Sequence, residues 1–307
     1  MTSKDIPDSL KSEEKKLELL FNTRQRGREP IASLEGVHPF LATEGILPKT
    51  YHLVAQGDSW FDYPGDDLIN YLRDRHGHKI DNIAVAGSTL NDIVYGPVPK
   101  NWLGIPQSDD VSRIQELHFL IWKQEPVGVL LSGGGNDIAG PEFFQLINNA
   151  LSSLENPNTE VVQGIMTETF KKAYHDLIAE IISSCKALAL TPHIFVHGYD
   201  YPFPDGRGVT MFNVIGPWFH DTFNKKNYPL KSKNDLKARY RITRVIIDSF
   251  NEMLASLEVD FRGIVHHVDL RGTLPKIEDW ANELHPTTEG FETLSDKFNL
   301  EIHKVLG

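Results

Sequence analysis

The chain is predicted to be an α/β protein whose five-stranded, doubly wound parallel sheet carries helices on both faces as three α/β/α layers. Three observations point there. From residue 51 onward, short β-rich runs alternate with stretches of helical periodicity, the signature of strands joined by crossover helices. The chain has 307 residues, enough for one large domain with a well-buried core. Its short polar and glycine-rich motifs also fall just past the ends of predicted strands, on one edge of the sheet, where such folds bind ligands.

Taken in order, the predicted strands are His52 to Ala55, Asn82 to Ala86, Val127 to Leu131, His193 to Gly198 and Ile264 to Asp269. Between and after them, helical periodicity covers Asp66 to Arg75, Asp110 to Lys123, Pro141 to Leu154, Val162 to Leu190, Leu236 to Glu258 and Thr287 to Leu306. Glu125-Pro126 before the third strand and the glycine run after it fix both its ends. Residues 1–48 differ in character, with a charge-rich start, leucines at 17, 19 and 20, and repeated Gly and Pro. They read as an N-terminal extension packed on the main domain, residues 49–307. Residues 200–235 lack clear periodicity and interleave Tyr201, Phe203, Phe212, Trp218, Phe219, Phe223 and Tyr228 with prolines and glycines. A long loop of that composition beside a binding edge reads as a lid-like insertion.

Composition narrows the function classes. A formal net charge of −11 argues against general affinity for nucleic acid, which requires a basic face. Cys185 is the single cysteine, so no intramolecular disulfide forms, and its place in a periodic run suits a core thiol in a reducing compartment. The polar start, Met1 to Pro7, has no signal-peptide pattern, and no transmembrane run is present, so the expected localisation is cytoplasmic.

Four segments carry chemistry. Tyr51 to Ala55 leads into Gly57-Asp58-Ser59, a tight turn that holds one hydroxyl at the end of a sheet. A serine hydroxyl becomes a useful nucleophile when a base takes its proton. His285, in Glu283-Leu284-His285-Pro286 between the last strand and the terminal helix, is placed to be that base. His193, His197, His266 and His267 fall on strands and read as structural. Acyl transfer also needs donors for the developing oxyanion. The backbone N–H groups of Ser59 and Gly87 and the side-chain amide of Asn136, after Gly133-Gly134-Gly135, supply three. Asp62 and the strand-end aromatics Tyr199, Tyr201 and Phe203 are the candidate substrate contacts.

These blocks resemble those of the SGNH hydrolases, the GDSL-like esterase and lipase superfamily. Gly57-Asp58-Ser59, Gly87, Gly134-Gly135-Asn136-Asp137 and His285-Pro286 match in order, across roughly residues 50–306. The resemblance implies a flavodoxin-like sheet, Ser59 as nucleophile, His285 as base, and Ser59, Gly87 and Asn136 as the oxyanion hole. It also implies cleavage of esters, thioesters or acetylated sugars without a metal or other cofactor. One position departs from the pattern: three residues before the histidine, where the family usually has Asp, this chain has Asn282. Either Ser59 and His285 then work as a dyad, or Asn282 itself or a carboxylate from Glu283 or Asp279 orients His285. A carboxylic-ester hydrolase acting on a lipid or other small acyl ester is the expectation. A weakly active or non-catalytic ester- or glycan-binding protein, or a thioesterase, are the alternatives.

Two further signals are set aside. Asp58, Asp62, Asp66 and Asp67 lack the histidines or dense carboxylate spacing of a metal site and read as loop and helix-start acids. The run Lys225, Lys226, Lys231, Lys233, Lys237, Arg239, Arg241 and Arg244 reads as a solvated face, with attraction of an anionic head group as its functional alternative.

Overall fold

A computed structural model describes residues 49–97, 111–209 and 216–307. The predicted N-terminal extension, 1–48, and Phe212 lie outside them.

Five parallel strands form one sheet: β1 (His52–Gln56), β2 (Lys79–Asn82), β3 (Gly128–Leu131), β4 (Ile194–His197) and β5 (Val265–Val268), in spatial order β2-β1-β3-β4-β5. This is the doubly wound, flavodoxin-like order, with its switch point between β1 and β3. Right-handed crossovers send the β1–β2 connection to one face and the later ones, which run in the opposite direction, to the other. Leu53, Val54, Ala55, Leu130, Ile194, Phe195 and Val196 are buried, as expected for strands covered on both faces.

The helices are α1 (Leu68–Asp74), α2 (Leu90–Tyr95), α3 (Arg113–Gln124), α4 (Gly135–Ala139), α5 (Phe143–Leu146), α6 (Thr159–Gly164), α7 (Lys171–Ala187), α8 (His220–Lys225), α9 (Lys233–Asp260) and α10 (Thr288–Leu306). A π-helical turn, Ile165–Phe170, joins α6 to α7, and a 3₁₀ turn spans Ile277–Asp279. Side chains close their first turns. Asp67 accepts from Asn70 N, Ser232 from Asp235 N and Thr287 from Gly290 N, while Thr89 with Asp92 and Ser112 with Gln115 form capping boxes. α1 packs on α10; α3, α7 and α9 pack in succession. Among the described residues no helix is long and apolar enough to cross a membrane.

Two sequence boundaries require correction. The second strand is Lys79–Asn82, not Asn82 to Ala86. The Asn82 side chain accepts from Ala84 N at 2.9 Å and donates to Phe61 O at 2.6 Å, which turns the chain off the sheet. Residues 83–88 thereby become the loop that carries Gly87. The helix expected over Pro141 to Leu154 shrinks to α5, because Asn149, Ser152 and Asn156 side chains capture the N–H groups of Leu151, Leu154 and Asn148.

Candidate active site

Ser59 lies three residues past β1, Gly87 in the loop after β2, Asn136 in the first turn of α4 after β3, and His285 in the β5–α10 connection. All four therefore sit at the carboxyl edge of the sheet, around the β1/β3 switch point.

The hydroxyl of Ser59 lies 2.8 Å from Nε2 of His285, and Nδ1 of that ring lies 3.0 Å from Oδ1 of Asn282. The amide orientation is fixed locally, since Oδ1 also accepts from Leu284 N and His285 N, both at 2.9 Å. An oxygen facing Nδ1 requires Nδ1 to carry the hydrogen. The lone pair on Nε2 is then free to accept the Ser59 proton. The other end of the amide donates to the Tyr63 hydroxyl at 3.2 Å, and the Tyr63 ring stacks on the imidazole with centroids 4.3 Å apart. Trp218 meets the imidazole edge-on. Ser59, Asn282 and His285 are all buried. Burial, uncompensated by any carboxylate, pushes the His285 pKa down to about 3, so the imidazole is neutral throughout the physiological range.

The carboxylates considered for orienting His285 are engaged elsewhere. Glu283 accepts from Gly206 N through one oxygen and from Phe219 N and His220 N through the other. Asp279 caps its own 3₁₀ turn by accepting from Lys276 N. The group at Nδ1 is Asn282, because its Asx-type turn folds its side chain beneath the ring.

On the acceptor side, Gly87 has φ +80°, a left-handed conformation that a glycine adopts without strain. The Asn136 amide donates to Ser88 O at 2.9 Å, which ties it to the Gly87 loop and leaves a second amide hydrogen. Asp62 accepts from Ala86 N at 3.0 Å; the sequence assigned it to substrate, and in the structure it braces this loop. Asp137 accepts from Leu90 N, and its burial raises its pKa to about 6.

A network that the sequence did not suggest lies beneath Ser59. Asp58 is buried and accepts from Ser132 Oγ at 2.7 Å, from Trp60 N at 3.1 Å and from the Tyr199 hydroxyl. The same hydroxyl accepts from Gly135 N at 2.9 Å. The turn after β1 is thus locked to the turn after β3. Burial raises the Asp58 carboxyl above the ordinary range. The only sequence signal was the tyrosine's position just past β4.

Of the predicted substrate contacts, Tyr199 lines the pocket but has its hydroxyl committed to this network. Tyr201 and Phe203 instead pack on α9. Tyr201 donates to Asp248 beneath the Arg244 guanidinium, and Phe203 stacks on Tyr240. The pocket beside Ser59 and Asn136 is walled by Trp60, Ile138, Ala139, Phe219, Ile247 and Leu284, among others. From the basic run, Arg239 is buried and bonded to Tyr228 O and Asn224, so it serves the fold.

No family model matches the sequence, and no curated protein matches it. Solved structures do resemble it. An extracellular lipase from Streptomyces rimosus aligns at 14% identity and TM-score 0.46, over 81% of this chain and 99% of that one. A family 3 carbohydrate esterase from Clostridium thermocellum aligns at 14% identity and TM-score 0.41, over 84% and 99%. A psychrotrophic esterase from Pseudoalteromonas sp. aligns at 14% identity and TM-score 0.41, over 83% and 98%. The neighbours are lipases and esterases. At these identities and scores they are a likeness only.

Proposed function

We propose that the protein is a serine hydrolase of the SGNH type that cleaves carboxylic esters through an acyl-enzyme on Ser59. The observation that carries this reading is the Ser59–His285–Asn282 alignment, with hydrogen-bond spacings of 2.8 and 3.0 Å. The Ser59 oxygen attacks the ester carbonyl as its proton passes to Nε2 of His285. Charge developing on the carbonyl oxygen is met by the N–H groups of Ser59 and Gly87 and by the Asn136 amide. The imidazolium then returns the proton to the departing alkoxide. Water, activated by the same nitrogen, releases the acid. No step requires a metal. The apolar side chains beside Ser59 favour a lipid or other hydrophobic acyl group over an acetylated sugar.

Asn282 supports a second reading, an attenuated enzyme whose main task is binding, because an amide orients the ring without stabilising its charged form. Fluorophosphonate labelling followed by intact mass tests the first. A single adduct on the wild type that disappears in Ser59→Ala is expected; an unlabelled, folded wild type would overturn the reading.

A further inference from the structure

Glu283 lies beside the catalytic turn, buried and without a part in the proton relay. Its carboxylate is occupied by three backbone N–H groups of one neighbouring segment, Gly206 at 2.9 Å, Phe219 at 2.7 Å and His220 at 3.4 Å. Its own N–H donates to Arg207 O at 3.1 Å. Arg207 answers with bonds to Trp280 O at 2.6 Å and Ile277 O at 3.1 Å. Two stretches of the aromatic insertion, 204–209 and 216–220, are thereby stitched to the 277–285 segment that presents His285. What they carry matters for the site: Phe219 forms part of the pocket wall, and Trp218 packs against the His285 ring.

We infer that Glu283 is a positioning residue that latches the aromatic insertion to the histidine turn, holding the Phe219 wall in register with Ser59 and so setting which acyl groups the pocket accepts. A carboxylate suits this task because all its partners are donors. In its ionised form, the two oxygens accept three N–H groups without a donor of their own. Glutamine presents an NH₂ where one oxygen stood, opposing an N–H with an N–H. Neutral sequence alternatives thus break the latch while leaving its volume unchanged.

The first arm of the test is amide hydrogen exchange on the full chain, which does not depend on turnover. Gly206 and Phe219 amides should be protected in the wild type, and in Glu283→Gln at least one of them should exchange about tenfold faster or more. Wild-type amides exchanging as freely as solvent-facing loop amides would overturn the latch, even if the variant did not fold. The second arm rests on the ester-hydrolase reading: kcat and KM on 4-nitrophenyl acetate and octanoate. The octanoate-to-acetate ratio of kcat/KM should fall about tenfold in Glu283→Gln, mainly through KM. An unchanged ratio in a variant whose exchange has risen would overturn the specificity role. Protected amides in a wild type that neither hydrolyses esters nor labels at Ser59 would uphold the latch and reject the hydrolase.

Discussion

Asn282 is the residue on which the chemistry turns. On the proposed mechanism its oxygen orients His285, yet it offers no charge to the imidazolium that would form when Ser59 gives up its proton. In the serine-protease template, an Asp-to-Asn change at the equivalent role lowers turnover by about 10⁴. Asn282→Asp is expected to raise kcat at least about tenfold on any ester the protein turns over, because Tyr63 can reverse its hydrogen bond and donate to the new carboxylate. The same substitution moves the pH profile. Desolvation holds His285 at about 3, so the wild-type acid limb of kcat/KM should fall well below the ordinary histidine value of 6.5. A negative charge at Nδ1 favours the protonated ring and shifts that limb upward. A rate unchanged by the substitution, with the limb unmoved, would mean that another group carries the charge compensation.

At the scale of elements, the site depends on sharp exits from β1 and β3. Gly134 caps α4 with φ +101°, and a Cβ there would sit 2.7 Å from the Phe250 ring. Gly134→Ala therefore combines left-handed strain with a clash against a buried aromatic, and is expected to cost about 2 kcal/mol or more in urea denaturation. Activity should fall further than stability, since Asn136 is displaced with the turn; a loss under about 0.5 kcal/mol would show that the turn relaxes. The element scale also shows what sequence could convey. Four of the five strands and the long helices α7, α9 and α10 were legible because hydrophobic periodicity is local. β2 was not, since the expected strand, Asn82 to Ala86, begins where the observed one, Lys79–Asn82, is ended by the Asn82 side chain, bonded to Phe61 O from another segment. The positions of Ser59, Gly87 and Asn136 at the sheet edge were legible because glycine turns mark them, and that of His285 because Pro286 and Thr287 mark the start of the terminal helix after it. The roles of Glu283, Tyr201 and Phe203 were not, because each depends on which face of α9 or of the insertion lies opposite, a fact of tertiary packing.

Over the whole molecule, burial sets opposing proton balances. His197 and His267 are held near 4 and His285 near 3 by desolvation, so each stays neutral in the fold and charges on unfolding below pH 6.5. Their stabilising contribution is complete above 6.5 and is lost as the pH falls towards those values. Asp137, raised to about 6, and Glu283, raised to about 7, act in the other direction. The folded state keeps protons that the unfolded chain has released, so their contribution is present in acid and lost as the pH rises through 6 and 7. Nine described histidines are held below the ordinary value against four carboxyls held above it, so the unfolded state binds more protons in weak acid and stability is expected to fall as the pH drops below 6.5. His197 provides the test. It is fully buried against Trp60, Phe61 and Phe298, and its Nε2 has no hydrogen-bond partner among the described residues. Phenylalanine fits that aromatic setting and removes one titrating group. In urea titrations from pH 7.5 to 4.5, His197→Phe should match or exceed wild-type stability at the upper end and lose about one proton's worth less on acidification. A decline parallel to the wild type would mean that the folded state already accommodates the charged ring.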